Sequence, residues 1–281
     1  MLVPLAGGGQ ETLLSEVGFV LLPLFTTRDA CALRLVCREF LAAVSEHPWE
    51  DRRTVIQGSI AAWRACFPHV RCANVQHLAS GGHSNRRATP VVDADFVHFE
   101  GLRELYMAGC NAVTDAAFVH LRGIHTLDMT LCTQVTITDA AFAHLAGIQR
   151  LSMWCCGQAT ITDAAFAHLR GIQLLNIGQC QQLTDAAFVH LRGIYTLIMW
   201  HCAQPAITDA AFVHLRGIHT LVMDGCDQDT ITGDTFFSLQ GASKMCMRGC
   251  RAATTSTAQS LGLPVSTDFR RQSAFCRRVL P

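Results

Sequence analysis

Three residue types that could do chemistry recur at fixed spacing along this chain. A histidine returns at His98, His120, His144, His168, His190 and His214, a cysteine at Cys110, Cys132, Cys156, Cys180, Cys202, Cys226 and Cys250, and an aspartate at Asp115, Asp139, Asp163, Asp185 and Asp209. Imidazole and thiolate together are zinc ligands, and repeated carboxylates invite a reading as catalytic acids. The regularity points elsewhere. Each ladder keeps a constant offset from an anchor phenylalanine, Phe96, Phe118, Phe142, Phe166, Phe188, Phe212 or Phe236, and the steps are 22, 24, 24, 22, 24 and 24 residues. Duplication of one ancestral unit makes such ladders without any demand for metal. The histidines fall on a predicted helix and the cysteines at the end of a predicted strand, which separates the two donor types, and the aspartates stand where helix caps are wanted. No phosphate-cradling glycine loop, nucleophile elbow or H-E-x-x-H motif occurs. The expectation is a chain without cofactor, metal or catalytic residues of its own.

The elements that carry these ladders follow from one unit, Asp139 to Cys156. Its second part alternates: Leu127 and Met129 in the neighbouring copy share one strand face, while Asp128 and Thr130 share the other. Its first part favours helix over Ala140 to Leu145, with Thr138 or Asp139 able to cap the start and Gly147 placed for a left-handed end. A period of 20 to 29 residues means a solenoid. One unit buries too little to repay the ordering of its own backbone, so neighbours must stack. The run Ile124, Leu127, Met129, Cys132, with Ile172, Leu175, Ile177, Cys180 as a variant, resembles the cysteine-containing leucine-rich repeat. What that resemblance implies is an α/β horseshoe with parallel strands inside and helices outside.

Half the residues are hydrophobic and the formal net charge is zero. Zero net charge gives no electrostatic reason to expect nucleic acid or an acidic membrane as a partner. No run of 18 or more apolar residues marks a membrane span, and Val17 to Phe25 is too short, and lacks preceding basic residues, for an export signal. The 14 cysteines are therefore read as reduced thiols of a cytoplasmic or nuclear chain. The seven repeat cysteines turn inward, where a small side chain with a weak S–H donor fills space and meets neighbouring backbone. Lys244 is the single lysine among 22 basic residues, which GC-rich coding explains as well as function does.

Scaffold positions scarcely change between copies, whereas the outward strand positions do. Among them Tyr106, Asp128, Arg150, Trp154, Asn176, Ile198, Trp200 and Asp224 are the candidate partner-binding residues of the concave face. Trp154 and Trp200, two copies apart, have the character of interface anchors. Replacing both with alanine is expected to weaken partner capture and leave thermal stability nearly unchanged.

Ahead of the array, Leu13 to Trp49 reads as two helices, the second starting after Asp29 and carrying Leu33, Val36, Cys37 and Phe40 as one apolar stripe. Leu13, Leu14 and Glu16, then Phe25, Asp29 and Ala30, then Leu33, Arg34, Val36, Cys37, Arg38 and Phe40 resemble the F-box pattern, with Leu14 for the usual proline, Ala30 for leucine and Phe40 for tryptophan. The resemblance implies an adaptor that docks on the Skp-type linker of a cullin ubiquitin ligase, through Leu13, Glu16, Leu21, Phe25, Leu33, Val36, Cys37 and Phe40, and presents a target protein on its repeats. The rival reading is a plain repeat scaffold whose helical front end only caps the core. The organisation expected is a flexible tail (1–12), an F-box-like helical domain (13–50), a linker with a degenerate capping repeat (51–90), seven repeats (91–250) and a C-terminal cap or tail (251–281).

Overall fold

The computed structural model describes residues 21–56, 58–76 and 90–267. The chain forms two compact units that divide between Asn74 and Val75.

In the first unit the polar sequence at Thr26 starts a helix. The Thr26 hydroxyl accepts from the Asp29 backbone N–H while the Asp29 carboxylate accepts from the Thr26 N–H at 3.0 Å, a reciprocal capping box. Three helices follow: α1 (Thr27–Leu33), α2 (Arg38–Glu46) and α3 (Ile60–Cys66), then strand β1 (Cys72–Asn74). The single second helix expected after Asp29 is therefore two. The chain leaves helical geometry after Leu33 and restarts from an extended Cys37, so Leu33 and Phe40 lie on different helices and Val36 lies in the turn between them. The first predicted helix survives within the described residues as the 3-10 turn Leu22–Leu24, with Pro23 in its first turn, where the missing N–H costs nothing. The unit is closed by Trp49, which donates from Nε1 to the Val44 carbonyl at 2.8 Å and packs edge-on against Phe67.

The second unit is a coil of strand, turn, short helix and return. Its strands are β2 (Glu104–Tyr106), β3 (Thr126–Asp128), β4 (Arg150–Ser152), β5 (Leu174–Asn176), β6 (Thr196–Ile198), β7 (Thr220–Val222), β8 (Lys244–Cys246) and β9 (Val265–Ser266). They pair in parallel, each with the next, and equivalent positions face one another: Leu105, Leu127, Leu151, Leu175, Leu197, Leu221 and Met245 form one row. The helices are one turn long, as in Asp139–Phe142, and most run on as a 3-10 turn. Parallel strands sit ~4.8 Å apart, closer than helices can pack, so the strand side is the inside of the curve. The last strand lies beyond the period, after the helix Ala252–Ser260, and adds one more rung to the array.

The anchor phenylalanines are all fully buried between strand and helix. Around them, three hydrogen-bonded ladders tie each rung to the next. The cysteine thiols donate to the backbone of the preceding rung: Cys156 to the Met129 carbonyl at 3.1 Å, Cys180 to Met153 at 3.2 Å, Cys226 to Met199 at 3.0 Å. The aspartates do more than cap. Thr138 is the N-cap, accepting from Ala140 N–H, while the preceding rung's Asp115 accepts from the Thr138 N–H at 2.7 Å and from its hydroxyl at 2.6 Å. The same clamp joins Asp139 to Thr162 and Asp185 to Thr208. The third ladder is glutamine: Gln134, Gln158, Gln182, Gln204 and Gln228 each donate to the carbonyl of the preceding rung's cysteine at 3.0 to 3.1 Å.

Candidate functional site

The strand face of the second unit is built from two kinds of position. The third residue of each strand forms a central row, Tyr106, Asp128, Ser152, Asn176, Ile198, Val222 and Cys246. Strands this close bring these side chains into mutual contact, and the row buries itself. Tyr106 is 3% exposed, and Asn176 and Ile198 are 0% exposed. The expectation that these three tile an open binding face is corrected: they form a second, thin core. Arg150, Trp154, Trp200 and Asp224, outside that row, are half-buried, as is Asp128 within it.

The early rungs satisfy the central row with hydrogen bonds. Tyr106 donates to Glu104 at 3.0 Å, Gln76 to Asp128 at 3.3 Å, and the Thr130 N–H to the other Asp128 oxygen at 3.0 Å. Thr130 and Ser152 hydroxyls meet at 2.9 Å, and Asn176 accepts from the Gly178 N–H at 3.0 Å. Burial pushes the Asp128 carboxyl up, against the hydrogen bonds from Thr130 and Ser152 that favour its charge. The later rungs are apolar instead. Ile198, Val222 and Cys246 form a cluster, and Trp200 packs against it.

The row beyond the strands carries the largest side chains, and small neighbours make room for them. A Cβ on Gly178 would stand 2.7 Å from Cδ1 of Trp154, so that indole lies over the glycine of the next rung. His201 lies over Gly225 in the same way. The backbone at the position just before each repeat cysteine is left-handed in every copy: Gly109, Leu131, Cys155, Gln179, His201, Gly225 and Gly249 all have φ between 51° and 73°. A side chain there costs ~1–3 kcal/mol, and four consecutive rungs carry one. Asp224 accepts from the Arg248 N–H at 2.8 Å, and burial raises its carboxyl even though Arg248, His201 and Lys244 favour the charge.

No protein-family model matches the chain, and no curated protein does. Solved structures do. An internalin C2 from Listeria monocytogenes aligns at TM-score 0.51 and 16% identity over 72% of this chain and 84% of that one. The fold is that of the leucine-rich-repeat proteins. TLR13 in its complex with ssRNA13 aligns at TM-score 0.52 and 14% identity over 77% of this chain, which spans about a third (32%) of that chain. Rad7, from its complex with Elc1 in yeast, aligns at TM-score 0.48 and 13% identity, over 78% of this chain and 64% of that one.

The first unit offers a second candidate site. Its described residues leave Leu35 88% exposed and Val36 66% exposed, and Leu21, Leu24, Phe25 and Leu41 elsewhere in the unit are exposed too. Of the residues implied by the F-box resemblance, Leu21, Phe25 and Val36 are exposed, and Leu33, Cys37 and Phe40 are half-buried. Leu13 and Glu16 lie outside the described residues. Leu35 was not singled out in the sequence, because a stripe of Leu33, Val36, Cys37 and Phe40 read on one continuous helix places it off that face. Asp51 pins the unit: burial would raise its carboxyl, but hydrogen bonds from Thr27, Thr54 and Arg53 hold it below the usual carboxylate range.

The ladders that first suggested chemistry are placed apart. The repeat cysteines are buried or nearly so; burial pushes the Cys132 and Cys202 thiols up to about 12, which keeps them protonated donors. The histidines stand half or fully exposed on the helical side. Among the described residues no helix is long and apolar enough to cross a membrane.

Proposed function

We propose that the chain is the target-recognition adaptor of a Skp–cullin–F-box type ubiquitin ligase. Its first unit docks on a Skp-type linker, and its repeats hold a protein to be modified. The observation that carries this reading is the exposure of the adjoining Leu35 and Val36 on the first unit. Folded domains rarely leave adjoining leucine and valine side chains open to water without a partner that covers them. The resemblance of Leu33–Phe40 to the F-box pattern names that partner. Ubiquitin transfer itself belongs to other subunits.

Purified chain and a Skp-type linker are expected to co-elute. Val36→Asp, on a side chain already facing solvent, abolishes co-elution with a melting temperature within about 2 °C of the parent. Absence of co-elution with the parent chain overturns the adaptor reading and leaves a repeat scaffold.

A further inference from the structure

Basic residues recur at the ends of the helical segments in most of the repeats, and folding gathers these on one edge. Between Glu104 and Asp224 the chain has six carboxylates: Asp128 on a strand, and Asp115, Asp139, Asp163, Asp185 and Asp209 at the first residue of the helical segments. Most basic residues of the same rungs sit at the opposite end of those segments, apart from Arg150 on a strand and His125, His201 and His219 in bends and turns. His144 is in the last turn of one, and Arg122, Arg170 and Arg216 are the residues at which three of them end. Arg192 holds the equivalent place after Leu191. Seven residues of such a segment span roughly 10–14 Å, more than the ~8 Å over which physiological salt screens a charge. One edge of rungs two to six is thus acidic and the other basic, although the whole chain has zero net charge.

Arg122, Arg170, Arg192 and Arg216 are all exposed, and they have no ion pair among the described residues. Arg122 donates from Nε to His144 Nδ1 of the next rung at 3.4 Å, so the basic row is continuous between the second and third rungs. Cationic ends suit short helices electrostatically, and a buried role would hold a residue constant. The helix-end role leaves the arginine tips in solvent, where they can also meet an anionic partner. Four residues after the anchor phenylalanine the chain carries an exposed arginine in four copies, with Glu100, Ala146 and Gln240 in the other three, and two residues after it six copies carry a histidine that is half-buried or exposed.

We infer that this basic edge is a docking surface for an extended, Asp- and Glu-rich segment of a protein partner. The inference rests on the reading that the repeats take a protein target, and it moves the point of capture from the strand face to the helix-to-strand edge. Guanidinium groups on four of these five rungs, the third having Ala146 in that place, meet side-chain carboxylates of an extended chain as paired, charge-assisted hydrogen bonds, and steering by the row speeds the encounter.

The test is fluorescence anisotropy with the full chain and a labelled sixteen-residue peptide of alternating Glu and Asp, beside a twenty-nucleotide oligothymidylate. Expected are saturable peptide binding at low salt that weakens steeply as salt is raised, and a roughly tenfold or greater loss of affinity in the variant carrying R122Q, R170Q, R192Q and R216Q together. The variant's melting temperature stays near the parent's, since the four side chains are exposed. No peptide binding at low salt, undiminished binding by the variant, or tighter binding of the oligonucleotide than of the peptide each overturns the inference. Linker co-elution is unaffected by the four substitutions, so this result and that of the Val36→Asp experiment stand independently.

Discussion

Within the strand face, the early and the late rungs solve the same problem with opposite chemistry. Side chains on the central row of a tight parallel sheet lose water whatever their type. At Tyr106, Asp128, Ser152 and Asn176 the loss is offset by hydrogen bonds, within the rung at Tyr106 and Asn176 and between rungs at Asp128 and Ser152, whereas at Ile198, Val222 and Cys246 apolar contact is itself the stabilisation. The scaffold beneath, with its phenylalanine, cysteine and aspartate ladders, is the same on both sides. Variation on such a face is therefore partly variation of packing: a tryptophan at 154 goes with a glycine at 178, and a histidine at 201 with a glycine at 225.

Substitutions can break the comparison where it is strongest. Ile198→Asp puts an unpaired charge into the apolar cluster and is expected to cost about 3–5 kcal/mol by urea unfolding; a loss under ~1 kcal/mol would mean that the cluster opens to water. Asn176→Ala strips the acceptor from the Gly178 N–H in the polar half and should cost about 1–3 kcal/mol.

Trp200→Ala, on a side chain only partly covered by the same cluster, should cost about 1–2 kcal/mol. That revises the sequence-based expectation of unchanged stability for this residue; equal melting temperatures for parent and variant would restore it.

The smallest effect is at Asp128. Its folded-state carboxyl is raised by burial, so its charge opposes folding at pH values above the folded pKa, and the opposition fades as pH falls through that pKa toward the unfolded value of ~3.9. Asp128→Asn should be stabilising by under ~1 kcal/mol at pH 7, and the advantage should shrink in acid. An advantage that grows in acid would reverse the sign assigned to the group.

Much of the scaffold was legible. The 22- and 24-residue spacing predicted the solenoid, the Leu-x-Met alternation predicted which strand residues face the phenylalanines, and Gly147 lies where a left-handed backbone is needed, at φ 86°. The inward role of the cysteines was also legible, because a small thiol at an invariant turn position has little to do but fill space and donate weakly. The inter-rung partners of the aspartates and glutamines were not. Thr-Asp pairs and a glutamine two residues after most of the cysteines recur in plain view, but a cap, a clamp across rungs and a solvent contact all leave the same one-dimensional trace. The break between α1 and α2 was missed because residues spaced 3 and 4 apart suit one helix as well as two that meet at a turn.

Taken alone, the order of residues determined the period and the identity of each rung's inward phenylalanine, leucine and cysteine, since both depend on neighbours a few positions away. Only the tertiary structure decided which outward residues still meet solvent. Strand spacing, a property of the stacked sheet and not of any rung, closes the central row over Asn176 and Ile198, and the return path of each rung leaves Arg122, Arg170, Arg192 and Arg216 in the open.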